Sequence, residues 1–385
     1  MSIQKRYASV NWIDGMKISK QHLVDTENYF VNQICETFSA SINTFNYGLL
    51  PAIGLGDYLN DFTVENKATK EVEIRLKTCD AITLSGMRIT ISSDLVRDGL
   101  KYTATFSSVD SSAQEPDKVY YLVICVNPYN RLPTGELDPE EIPPRHPYTT
   151  PNIYLTLIPD TGISTATMGG YFLIVGKVIR RADGYYKDGN FIPPCAAIRS
   201  HPLLVGYYDT FGGAMNEIQL NAFSIVQKIK NKQQKSELAQ NIRNFCEVVL
   251  QYVAQTYFRF RNIAHQQPPI YTIENFSALA NITYTFVNTM SEKDKEEMLK
   301  YFYEWCDVLP SSFESQLVAC IGIRYDHLNI GDIMAVIRQL LGTLSLILSR
   351  LNTLEYIGQY KENLVVKEEV INQAVKEKTG WSILD

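Results

Sequence analysis

The sequence predicts an α+β, multidomain architecture, an N-terminal β-sandwich followed by a helical bundle, and three observations carry that expectation. The 385 residues exceed what one hydrophobic core usually organises. Up to about residue 205, short apolar runs and period-two alternation are punctuated by Gly, Asp and Asn, as in a sandwich. Beyond about residue 212 the apolar residues recur in steps of three and four, the period of packed helices. The resulting division is 1–208 for the β-sandwich with one early helix, 209–355 for the bundle and 356–385 for a C-terminal tail.

Met16 to about Asn46 holds no Gly or Pro and carries Ile18, Leu23, Tyr29, Phe30, Ile34 and Phe38, which predicts the early helix. Asp14-Gly15 reads as a turn leading into it, with Ser19 as N-cap and Trp12 and Met16 as buried anchors on either side. Val72-Glu73-Ile74-Arg75-Leu76 alternates as a half-buried strand does. Ile82-Thr83-Leu84 runs into the Ser85-Gly86 turn, and Arg88-Ile89-Thr90-Ile91 resumes the pattern. Val119 to Val126 and Tyr171 to Ile179 are apolar, β-branched and aromatic, suiting central strands. Between them, Pro128 to Pro151 contains seven prolines. Proline lacks a backbone donor, so this stretch is expected to be a loop, either plain or a partner-binding arm, and not a central strand.

In the second half, Ile218, Ala222, Ile225 and Ile229 step by four, three and four, and Leu238, Ile242, Phe245, Val249 and Tyr252 repeat the rhythm. Ser291 followed by acidic residues is a helix start. Ile333, Ile337, Leu340, Leu344, Ile347 and Leu351 form a seam of nearly three heptads, expected to serve the bundle or a trimer. In the tail, Lys361 to Lys378 fits one amphipathic helix, with Trp381 as its anchor.

Composition narrows the function. Hydrophobic residues make up 45% and charged residues 20%, ordinary for a globular protein, and the formal net charge is −6. No basic face invites nucleic acid. The nearest candidate for a membrane span, Ile333 to Leu351, is interrupted by Arg338, Gln339, Ser345 and Arg350, and no apolar signal region follows the basic N-terminus. Direct membrane insertion is therefore not expected, and a cytoplasmic location is. The seven cysteines show no C-x-x-C spacing and read as free, buried thiols of a reducing compartment.

Chemistry is hard to find. His22, His146, His201, His265 and His327 are scattered, without the spacing of a metal site. Gly54-Leu55-Gly56 lacks a third glycine and reads as a turn, and no P-loop or nucleophile elbow is present. Glu140 and Glu141 read as solvated surface. No catalytic residue, cofactor or metal is expected.

The N-terminal stretch Val10-Asn11-Trp12-Ile13-Asp14-Gly15-Met16-Lys17-Ile18-Ser19-Lys20-Gln21-His22-Leu23 resembles the opening of the TssK family of type VI secretion baseplate subunits. In that family Trp, an acid, Gly-Met, an aliphatic residue and Gln-His follow at these spacings. Lys20 stands where the family commonly has Pro, and Leu23 where an aromatic often follows. Phe191-Ile192-Pro193-Pro194-Cys195 is similar to the segment closing the family's N-terminal domain. Pro269-Ile270-Tyr271 fits a family helix start, and Ile323-Arg324-Tyr325-Asp326-His327 the segment before its last bundle helix.

The resemblance implies a shoulder like that of phage receptor-binding proteins, then a helical neck and a C-terminal head. It implies a homotrimer that docks by its shoulder on the wedge subunits TssF and TssG and reaches the membrane complex by its head. Trp12, Asp14, Gly15, Met16, Gln21 and His22 become candidate partner-binding positions, His22 otherwise serving as an internal brace. Asn352 to Asp385 is too short for an independent core, so the head is expected to be missing or reduced to a tail, leaving the membrane-complex component unidentified. Two other readings stand beside this one: a phage-like tail or receptor-binding protein sharing shoulder and neck, and a hydrolase with a β-sandwich active site.

Overall fold

The computed structural model describes residues 7–51, 60–68, 71–92, 99–105, 117–162 and 170–361. The Gly54-Leu55-Gly56 turn and the tail helix with Trp381 lie outside them. The chain divides into two compact units. The β-rich unit holds everything up to Gly206, together with His265–Ile270 and Tyr325–Gly331, two short stretches from the helical half. The helical unit holds the rest.

The β-rich unit opens with α1 (Lys20–Ser39) and contains two antiparallel sheets. In the first, β3 (Glu71–Ile82) is the hub. It pairs with β1 (Gly48–Leu49), β2 (Asn60–Lys67), β4 (Arg88–Ile91) and β5 (Leu100–Thr105). The second has the order β7-β6-β8-β9, from β6 (Lys118–Thr134), β7 (Tyr148–Pro159), β8 (Phe172–Arg181) and β9 (Gly184–Lys187).

The alternation in β3 puts Val72, Ile74 and Leu76 in the core. Phe62 of β2 crosses to the second sheet over Gly176, where any Cβ would stand 2.5 Å from the ring. Asn60 Nδ2 donates to the Val175 carbonyl at 3.1 Å, and the Asn66 amide exchanges two hydrogen bonds with the Tyr185 backbone. On the opposite face of β3, Glu73 is buried under cations, with Arg75 at 2.8 Å, Lys101 at 3.0 Å and Lys67 also bonded. Hydrogen bonds from Arg75, Lys67 and Lys101 pull its carboxyl down to about 2.

The apolar runs of β6 and β8 are continuous because both faces of these strands are covered. Leu122, Ile124, Leu173 and Val175 are buried on one face, whereas Val123, Phe172 and Ile174 pack with Tyr121, Ile158, Phe191 and Leu328 on the other. The proline-rich stretch is a loop between Thr134 and Tyr148, and its two ends are strands. Past Val126, β6 pairs with β7 alone, Arg131 facing Pro151 and Thr134 facing Tyr148. The register slips between Asn127 and Arg131, and in that bulge Asn127 Oδ1 accepts from the backbone of Tyr129 and Asn130. Proline is admitted because no third strand pairs with this ribbon among the described residues, and the expectation that it is no central strand stands.

The helical unit is built mainly from α2 (Pro202–Asn231), α3 (Glu237–Asn262), α4 (Pro269–Thr289), α5 (Glu292–Cys306), α6 (Pro310–Ile321) and α7 (Ile330–Thr353). Ser236 and Ser291 cap α3 and α5, each hydroxyl accepting a backbone N–H of the first turn. Phe245, Phe286, Phe302 and Phe313 form a chain of ring contacts between 5.7 and 6.2 Å. Arg338 lies over Tyr207, Ser345 donates to Glu217 at 2.6 Å and Asn352 to Asn221 at 2.9 Å, so α2 and α7 run parallel, side by side.

The sequence leaves the α7 seam to the bundle or to a trimer. Ile333, Ile337, Leu340, Leu344, Ile347 and Leu351 are 0–9% exposed within one chain. They are this subunit's own bundle core, not a surface offered to other copies. By length and composition α7 is apolar enough to cross a membrane. Its burial among the other helices accounts for that composition equally.

Candidate functional site: an apolar face on the first helix

The N-terminal motif folds as a turn and a cap. Met16 N–H donates to the Ile13 carbonyl at 3.3 Å across Asp14-Gly15, and Gly15 has φ +79°, the left-handed region that favours glycine. Ser19 is the extended N-cap of α1, and its backbone N–H donates to His22 Nδ1 at 3.3 Å. His22 thus braces its own helix start, as the return half of a capping box does. Gln21 Nε2 donates to Asp25 at 2.8 Å, and Trp12 meets the His22 ring edge-on at 6.1 Å.

The anchors are not buried. Trp12 is 48% exposed, Ile13 more so, and Met16 only half-buried. Trp12 meets only the first turn of α1 through His22 among the ring contacts described, and that contact leaves half of its surface open.

α1 itself is inverted. Its buried residues are Asn28, Asn32 and Cys35, whereas Leu23, Phe30, Ile34 and Phe38 are 52–59% exposed. Those four fall at steps of seven, four and four, one continuous stripe. The inward polar face is held by specific partners. Tyr129 of β6 donates to Asn32 Oδ1 at 3.3 Å, Arg131 pairs with Glu27 at 2.7 Å and Cys35 Sγ lies 3.9 Å from Met87 Sδ. Burial pushes the Tyr129 phenol and the Cys35 thiol upward, so both stay neutral. Asn28 Oδ1 is buried with no hydrogen-bond partner among the described residues.

Gly86, at φ +79°, lets the β3–β4 turn approach the end of α1. A Cβ there would stand 2.4 Å from the Cys35 carbonyl oxygen. The sequence predicts the helix from its apolar residues without saying which face they cover. Asn28, Asn32 and Cys35, at steps of four and three on another face, were the available signal for the inversion.

Single chains rarely leave an ordered stripe of large apolar side chains uncovered, and such a face marks association. A smaller set lies on the parallel pair in the helical unit, where Leu220 and Phe223 of α2 and Leu346 of α7 are exposed. The histidines do no evident chemistry. His146 contacts the Gly135 carbonyl at 2.8 Å, and His327 is buried between Tyr325 and the Tyr47 carbonyl. Among the described residues no group of His, Cys, Asp or Glu is arranged to hold a metal ion. All seven cysteines are unbridged, and all but Cys125 are buried.

No family model matches the chain, and no curated protein matches it. Solved structures share its fold. A crystal structure of TssK is 14% identical, with a TM-score of 0.51 over 87% of this chain and 69% of that one. A chain of the baseplate complex from the type VI secretion system is 12% identical, with a TM-score of 0.51 over 88% of this chain and all of that one. At these identities the likeness is one of fold, and the fold is that of TssK.

Proposed function

We propose that this chain is a structural, non-enzymatic adaptor of a type VI secretion baseplate. In this reading 1–208 is the shoulder, 209–355 the neck and 356–385 a tail. Three copies associate, the shoulders dock on wedge subunits TssF and TssG, and the assembly joins a membrane-anchored component from the cytoplasmic side. The observation that carries it is the TssK fold along nearly the whole chain, combined with an α1 whose apolar stripe faces outward. Trp12, Ile13 and that stripe are the assigned wedge-docking face. Asp14, Gly15, Gln21 and His22 shape the turn and cap that present it. The copies meet on Leu220, Phe223 and Leu346 rather than on the buried α7 seam. Repeated weak contacts from three shoulders add up through effective concentration.

The test is native mass, alone and with co-expressed TssF and TssG. A species near three times the 43.8 kDa subunit mass that joins the wedge proteins is expected. Phe30→Asp with Ile34→Asp keeps the trimer and loses the wedge. A trimer that ignores TssF and TssG moves the assignment to a phage-like receptor-binding protein, and a monomer that also ignores them removes the adaptor reading.

A further inference from the structure

The chain leaves α7 as an irregular strap. From Leu354 to Tyr360 it forms neither helix nor strand, yet helix side chains bond its main chain at nearly every step. Lys228 of α2 donates to the Leu354 carbonyl at 3.5 Å, and Lys232, just past that helix, to the Glu355 carbonyl at 2.8 Å. Ile357 N–H donates to Gln234 Oε1 at 3.1 Å and Gly358 N–H to the Tyr301 hydroxyl at 3.0 Å. On α5, Trp305 Nε1 donates to the Gln359 carbonyl at 3.2 Å, and Glu304 Oε1 accepts from Lys361 N–H at 2.6 Å. Backbone groups outside regular structure need partners, and here six side chains supply them.

The strap's own side chains are engaged sparsely and specifically. Ile357, 2% exposed, is the one buried residue from Leu354 to Lys361. Lys232 lies over the Tyr356 ring at 4.0 Å, the Tyr360 hydroxyl donates to Glu297 at 3.3 Å, and Lys361 lies over Trp305 at 5.1 Å. Gly358 has φ +76°, and a Cβ there would stand 3.0 Å from the Ala239 nitrogen, so glycine is required directly after the anchor. Beside Gly358 and Tyr360 the groove continues as a cavity of about 450 Å³, lined in part by Leu238 of α3 and by Lys293 and Lys300 of α5. One buried side chain, with a main chain held by side chains, is how a bound peptide is held. The strap can leave without breaking a hydrogen bond within α2, α3 or α5.

We propose that α2, α5 and the start of α3 form a peptide groove, closed in one chain by its own Leu354–Lys361 and open to the same segment of a second copy. The ligand is a short irregular peptide with a buried aliphatic residue, glycine next to it, an aromatic residue two positions on and a cation after that. A second copy is the occupant because its segment reproduces each of these contacts, so exchange between copies loses no bond. Effective concentration then decides between the two, favouring the chain's own strap in isolation and the neighbour's where copies are held together. The groove stands independently of the wedge assignment.

The experiment uses the full-length chain and reads hydrogen exchange by mass spectrometry, together with binding of a labelled peptide that has the sequence of Leu354–Lys361. Ile357→Asp spoils the strap and spares the groove, whereas Trp305→Phe with Glu304→Ala spoils the groove and spares the strap. In both, exchange of the strap is expected to rise while α3 keeps its wild-type protection. Ile357→Asp should bind the peptide roughly tenfold or more tightly than wild type, whose own strap competes at about millimolar effective concentration. A peptide carrying Gly358→Ala should lose that binding. Mixing the two variants should restore protection to the unsubstituted strap, which differs in mass from the substituted one. Loss of α3 protection in either variant makes the strap core packing and overturns the proposal. A strap that stays protected in the groove variant overturns it too, as does a peptide that binds Ile357→Asp no better than wild type. A mixture that leaves the unsubstituted strap exchanging freely overturns the second copy as occupant.

Discussion

Lowering the pH from 7 to 4.5 should destabilise the β-rich unit through two histidines that the fold holds neutral. His327 Nε2 lies 2.9 Å from the Tyr47 carbonyl oxygen and Nδ1 lies 2.5 Å from the Tyr325 hydroxyl. A carbonyl only accepts, so Nε2 carries the proton and Nδ1 accepts from Tyr325. A second ring proton would reverse that bond, Nδ1–H donating to the Tyr325 oxygen and the phenol proton needing another acceptor. Burial pushes His327 down to about 4, against the opposing pull of the Tyr47 carbonyl and Asp326. His201 is pushed to about 4 as well, by burial and then by Lys187. An unfolded histidine titrates near ~6.5.

For a base whose folded value lies below its unfolded one, the unfolded chain takes up the proton first as pH falls. The stabilisation is complete above ~6.5 and is lost between there and about 4. At pH 4.5 the loss comes to roughly 2.5 kcal/mol for each histidine, about 5 kcal/mol for both. That is a large part of the ~5–15 kcal/mol typical of a domain. The Glu73 carboxylate, at about 2, gives way only at lower pH and does not blur this window.

The assay is hydrogen-exchange mass spectrometry of β6 and β8 peptides, corrected for the intrinsic pH dependence of exchange. Wild-type protection should fall between pH 7 and 4.5. His327→Gln should remove about half the slope, and adding His201→Gln most of it. Parallel slopes in wild type and the double variant would refute the reasoning.

Two further outcomes follow from packing. Leu344→Ala removes a fully buried side chain from the α7 seam and should cost about 2–5 kcal/mol in urea unfolding; a change below ~1 kcal/mol would mean the seam is not core. Gly86→Ala combines a left-handed φ with a backbone contact at 2.4 Å. It should cost at least ~1–3 kcal/mol and release α1 from the β3–β4 turn, seen as faster proteolysis of α1.

The β-to-helical order and most elements were legible in the sequence because they rest on local period. Val72 to Leu76 and Arg88 to Ile91 are strands of the first sheet, the apolar runs are β6 and β8, and Ser19 and Ser291 stand before helices. Capping, alternation and three-four spacing depend on neighbours a few residues away, so the chain states them openly. Three matters depended on residues far apart. Asn28, Asn32 and Cys35 face inward because Tyr129 and Met87 are there to meet them, and only that contact turns Phe30, Ile34 and Phe38 outward. The two ends of the proline-rich stretch became a ribbon because Arg131 to Thr134 found Tyr148 to Pro151 across the intervening loop. The α7 heptads read the same whether a partner helix belongs to the same chain or another, and the fold chose the same chain. Periodicity records that a face must be covered; which atoms cover it is decided by tertiary packing, because burial is set by partners that sequence spacing does not name.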